Sequence, residues 1–166
     1  MTLADVVFGL LGVVCLAAAV LVVTSRHVIH AALWLVVCFG ALAGCYLVLT
    51  AELVAWVQVL IYIGAVVVLM LFGAMLTRAP VGAVQELDSG NRPVAAIAGA
   101  ATAGVLGTLV VAAFRGAYVD IHHTEIGDGK AIGTSLFRFF VLPFEVASVL
   151  LLAALVGAIV LTKREA

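Results

Sequence analysis

The chain alternates five long apolar runs with short polar stretches. The runs cover about 3–24, 28–50, 53–77, 94–114 and 142–162. A helix rises ~1.5 Å per residue and bilayer hydrocarbon is ~30 Å thick, so about twenty apolar residues suffice to cross. A helix also satisfies its own backbone groups, which lipid cannot do for it. The pattern therefore predicts an all-α integral membrane protein of five transmembrane helices, forming one membrane domain over 1–166. The two longest connections, 78–93 and 115–141, are polar and contain Pro80, Glu86, Asp88, Gly90, Gly127 and Gly129. Pro93 suits the first turn of the fourth helix. The first run has only Asp5 near its start, lacks a basic lead and exceeds the apolar core of a signal peptide, so it is expected to be retained.

The third run departs from plain lipid-facing sequence. It begins at Glu52, carries no charge between Leu53 and Leu76, and holds Gln58 and Tyr62 four residues apart. That spacing puts both on one helical face. Polar groups at membrane depth are costly unless they face protein or water, so a buried partner or an internal water is expected there. Helix-to-helix glue explains the same two residues. Glu52 and Gln58, six apart, fall on different faces of a regular helix. One inserted residue, a π-bulge, would turn everything after it by about a third of a turn and free a carbonyl that Tyr62 could satisfy. Propensity does not specify such a bulge, and the residues alone favour a regular helix.

Composition agrees with a membrane protein. Hydrophobic residues make up 66 % and charged residues 10 %, against roughly half and a quarter in soluble domains. The net charge of −1, with no basic cluster, points to no nucleic-acid partner. Cys15, Cys38 and Cys45 lie inside apolar runs without ligand spacing and read as small hydrophobes. The adjacent His122 and His123 have no further Cys or His beside them, so they read as a solvated loop and no metal site is expected. No glycine-rich phosphate-binding turn follows a strand, so any redox chemistry is expected in other chains. Gly40 and Gly44, a small-xxx-small pair, are expected to let the second helix pack closely on a neighbour, although glycine is common in such helices by chance. Gly99, Gly104 and Gly107 suit a fourth helix packed on neighbours.

Five spans place the termini on opposite faces. One face collects Arg26, Arg78, Arg92, Lys163 and Arg164, and the other Arg115, Lys130 and Arg138. The positive-inside rule then predicts an outside N-terminus and a cytoplasmic C-terminus. Glu145, two residues after Pro143, starts the fifth helix, where the helix dipole favours a carboxylate.

Three segments carry a resemblance. Gln58-Val59-Leu60-Ile61-Tyr62-Ile63-Gly64-Ala65-Val66-Val67-Val68-Leu69-Met70-Leu71-Phe72 resembles the third-helix signature of the subunit J family of NADH:quinone oxidoreductase, respiratory complex I, whose mitochondrial branch is NADH dehydrogenase subunit 6. Leu142-Pro143-Phe144-Glu145-Val146-Ala147-Ser148, with Leu150-Leu151-Leu152 and Val156-Gly157-Ala158, is similar to that family's last helix. His30-Ala31-Ala32-Leu33 resembles its entry to the second. Phe137, Phe139 and Phe140 stand where relatives often carry tyrosine, and Gln58 stands where several carry glutamate. The resemblance implies a multi-pass subunit of a bacterial inner membrane, packed beside subunits A, H, K and N and the lipid bilayer. It implies no cofactor in this chain, with FMN, iron–sulfur clusters and quinone held by partner subunits. It further implies that Tyr62, Gly64 and Val67 lie at a π-bulge that switches winding and gates a water path, with Glu52 and Gln58 at its polar end. Glu145 is an accessory candidate. A related subunit of a cation/proton antiporter or membrane-bound hydrogenase, or a purely structural helix bundle, are the competing readings. A stand-alone transporter fits poorly, since five spans show no inverted repeat.

Overall fold

The computed structural model describes residues 3–76, 92–117 and 128–162. The linker residues 78–91, His122, His123, Lys163 and Arg164 lie outside the described residues. Five helices are long and apolar enough to cross a membrane. They are α1 (Leu3–Thr24), α2 (Val28–Val48), α3 (Glu52–Leu76), α4 (Arg92–Phe114) and α6 (Val141–Thr162). A shorter helix, α5 (Gly129–Phe139), precedes α6.

The core is a three-helix seam. α1 packs along α2, and α2 along α3. The residues buried there are mostly small: Ala18 on α1, Ala32, Ala41, Ala43 and Cys45 on α2, and Ala55 on α3. Lipid tails are as apolar as leucine, so burial alone does not bring these helices together. Small side chains do, by letting the backbones approach and dispersion contacts multiply. Cys15 and Cys38 meet across the α1–α2 seam with their Sγ atoms 3.6 Å apart.

Of the glycine pair on α2, one member is at the contact. A Cβ added to Gly44 would lie 3.1 Å from Leu11 Cδ1, whereas one added to Gly40 would meet nothing within 4 Å. Leu11 Cδ1 is the flexible end of a side chain, so Gly44→Ala should be absorbed. Gly44→Leu overpacks the seam, which typically costs about 1–3 kcal/mol. It is expected to lower the thermal stability of the purified protein clearly, while Gly40→Leu leaves it nearly unchanged; a light-scattering or fluorescence melt separates the two.

Two tight corners set the seam. Ser25 donates its backbone N–H to Leu21 O, and His27 is extended before α2 begins. The α2–α3 corner closes with Ala51 N–H on Tyr46 O at 2.9 Å and Thr50 N–H on Leu47 O at 3.0 Å. That is the Schellman arrangement, and it requires a left-handed residue, here Thr50 at φ 60°. Glycine is usual there, so the corner holds a strain of roughly 1 kcal/mol or more. The turn leaves no slack between α2 and α3. It delivers Glu52 to the first turn of α3, the end where a carboxylate is favoured.

Among the described residues, α4 and α6 share no extended seam with α1–α3. α4 and α6 bury none of their membrane-spanning residues within the chain. The polar stretch read as a linker, 115–141, contains α5. Its apolar Ile132 and Leu136 and polar Lys130, Thr134 and Arg138 recur at helical spacing. α5 breaks at Phe140, and Phe137 packs edge-on against Phe144 at the corner with α6, their centroids 5.2 Å apart.

Candidate functional site

α3 is not uniformly wound. Glu52–Val57 and Val68–Leu76 are regular α-helix, and Gln58–Val67 between them is π-helix. π-Helix is rare and usually limited to single-turn bulges at functional sites, so ten residues of it form an extended departure. At its entry, Gln58 N–H is shared between the carbonyls of Val54 and Ala55.

The packing records the same change independently of hydrogen bonds. The α3 residues least exposed to surroundings are Ala55, Gln58, Ile63, Val67, Leu71 and Ala74. Ala55 to Ala74 covers 19 residues in five steps, where a regular helix covers about 18 in five turns. The extra residue falls between Gln58 and Ile63, five apart. A helix kept regular from Gln58 would instead turn Tyr62, Val66, Leu69 and Gly73 toward α2. The residues alone favoured that regular form. The sequence does not oppose the wider winding, because from Val59 to Val67 every residue except Tyr62 is apolar or glycine.

The sequence candidates fall around this segment. Gln58 is 7 % exposed and Val67 1 %, both facing α2, and Val67 is the largest fully buried side chain among the described residues. Tyr62, 45 % exposed, lies edge-on to Phe39 of α2, with centroids 5.3 Å apart. Aromatic pairs in this geometry contribute about 0.5–1.5 kcal/mol beyond area burial. A Cβ at Gly64 would lie 3.6 Å from the carbonyl of Val59, five residues back. There is room for that carbon, and branching beyond it would crowd the carbonyl. Glu52 is exposed at the helix start, outside the wide segment. Glu145 is exposed on α6, which rests on α5 and shares no extended seam with α3, so the chain itself does not bring Glu145 to the others. Ser148 returns its hydroxyl to Phe144 O at 3.0 Å. Among the described residues no cluster of three or more His, Cys, Asp or Glu could hold a metal.

Rewinding Gln58–Val67 as regular helix, with every residue kept, would turn the helix beyond it by about 100°. The exchange would trade Ile63, Val67 and Leu71 for Tyr62, Val66 and Leu69 against α2. Wide-wound backbone also offers carbonyls that water or a hydroxyl can bond.

Five helices able to span a membrane, one of them irregularly wound and carrying polar residues, define a multi-pass membrane protein. The family described as NADH-ubiquinone/plastoquinone oxidoreductase chain 6 matches residues 18–161. F(420)H(2) dehydrogenase subunit J of Methanosarcina mazei is 39 % identical, with 96 % of this chain and 90 % of that protein covered. NAD(P)H-quinone oxidoreductase chain 6 of Nostoc sp. is 40 % identical over 95 % of this chain and 78 % of its own length. NADH-quinone oxidoreductase subunit J of Rhodobacter capsulatus is 32 % identical over 99 % and 84 %. The chain belongs to the subunit J/chain 6 family of respiratory complex I.

Proposed function

We propose that this chain is a membrane-arm subunit of a proton-translocating quinone oxidoreductase, and that the winding of α3 couples quinone reduction to proton movement. The observation that carries this reading is the π-wound Gln58–Val67 segment on a helix that bears Gln58 and Tyr62 at membrane depth. A helix with two packings of similar energy is a bistable element, and a bistable element can open or close a water path. Tyr62, Gly64 and Val67 form the switch; Glu52 and Gln58 form its polar end; Glu145 acts from α6 through a neighbouring subunit.

The chain carries no redox group of its own in this reading. Relatives of near-equal identity belong to assemblies named for different electron donors, F(420)H(2) and NAD(P)H. That supports a subunit indifferent to the donor, with flavin, iron–sulfur clusters and quinone held by its partners. The bare flanks of α4 and α6 are the surfaces those partners cover, namely the A-, H-, K- and N-like subunits. The basic residues favour an outside N-terminus and a cytoplasmic C-terminus in the cell membrane.

Tyr62→Phe removes the hydroxyl and keeps the ring on Phe39. A hydrogen bond made in one winding only is worth about 1 kcal/mol, a shift of about fivefold between windings. Gly64→Val adds branches beside the Val59 carbonyl. In proteoliposomes of the intact complex, both variants should translocate fewer protons per electron while quinone reduction changes little. An unchanged proton-to-electron ratio in both would overturn the switch.

A further inference from the structure

α5 remains outside this account, and its side chains are sorted around it. Lys130, Thr134 and Arg138 follow one another at four-residue intervals and form one exposed stripe. Thr134 turns its hydroxyl back to Lys130 O at 2.8 Å, and Lys130 and Arg138 are both exposed. Ile132, Leu136 and Phe140 fall on another face and, with Ala131 and Ser135, line a shallow cleft open to the surroundings. Phe137, Phe139 and Phe140 are exposed at the end next to α6, and the Arg138 guanidinium lies 5.9 Å over the Phe139 ring. Gly129 approaches Leu53 at the start of α3, where an added Cβ would lie 3.5 Å from Leu53 Cδ1. α5 therefore lies at the membrane rim on the α2–α3 corner side, directly before α6 enters the bilayer.

We propose that α5 binds an anionic phospholipid. The phosphate lies on the Lys130–Arg138 stripe, and an acyl chain occupies the cleft of Ala131, Ile132, Leu136 and Phe140. An amphipathic helix with a basic stripe and an apolar cleft on another face lies in the plane of the interface. Charge selects the occupant: residues 129–140 carry two cations and no acid. Asp128 precedes the helix, and Glu145 follows on α6. Lysine and arginine hold headgroup phosphates while their stems lie on apolar surface, and the guanidinium can bond two phosphate oxygens at once. Bound there, the lipid cements α5 to the entrance of α6 and to the foot of α3.

The test uses the purified complex in nanodiscs of phosphatidylglycerol or phosphatidylcholine, with retained lipid read by native mass spectrometry. Phosphatidylglycerol should be retained and phosphatidylcholine not. Each basic residue near an anionic surface contributes a factor of about five, so Lys130→Gln with Arg138→Gln should weaken retention about thirtyfold. The exchange Lys130→Arg with Arg138→Lys should keep it. Phosphatidylglycerol with a photoreactive acyl chain, applied to the unaltered complex, should label peptides within 129–140 whether or not the variants assemble. Equal retention of both lipids, or no labelling there because another subunit covers α5, would overturn the proposal.

Discussion

Deletion of Leu60 is expected to straighten α3 and uncouple proton translocation while leaving quinone reduction in place. Leu60 is 69 % exposed, so its side chain contributes little to the seam. Its removal shortens Ala55–Ala74 by one residue and leaves about 18 for five turns, which is regular α geometry. Ile63, Val67, Leu71 and Ala74 then keep their places against α2 without any wide turn. The deletion removes the winding and spares the packing, which no side-chain substitution does. Locking one winding by ~1.4 kcal/mol or more depletes the other at least about tenfold, and proton translocation per electron should fall by a similar factor. Leu60→Ala, which keeps the residue count, should pump normally. If the deletion variant assembles and pumps like the parent, the wide segment is a packing solution and not a switch.

The second large effect concerns adjacent residues with opposite surroundings. Val67→Trp should abolish assembly, and Val66→Trp should not. Val67 is 1 % exposed against α2, and Val66 is 47 % exposed. Forcing an indole into the filled Val67 site costs about 1–3 kcal/mol and occasionally more, since interiors yield little to added volume. At Val66 the indole enters lipid or a looser partner surface. A regular helix from Gln58 reverses the order, because Val66 would then face α2. The yield of intact complex on a native gel reads the comparison, and equal yields would contradict the observed register.

Much of the fold was written in the chain as five long apolar runs separated by polar stretches that hold charge, glycine and proline. The polar pair Gln58 and Tyr62 pointed to α3 for a simple reason: lipid does not accommodate an amide or a phenol without cause. The winding was not written there. Hydrophobic periodicity reveals a register only when one face is polar, and nearly every residue of Gln58–Val67 is apolar on all sides. The backbone hydrogen bonding of Gln58–Val67 and the partial burial of Ile63 show the inserted residue. The glycine pair shows the same gap, since spacing made Gly40 and Gly44 equivalent and only Leu11 tells them apart. α5 was hidden by its polar composition, although Ile132 and Leu136 against Lys130, Thr134 and Arg138 carried the helical spacing.

The decisive measurement is density for α3 in the assembled oxidoreductase, at rest and trapped during turnover with donor and quinone. Two windings are expected: one with Ile63, Val67 and Leu71 against α2, and one turned so that Tyr62, Val66 and Leu69 take those places. A single winding of α3 in every state, with the Tyr62 hydroxyl against acyl chains throughout, would contradict a coupling role for this helix.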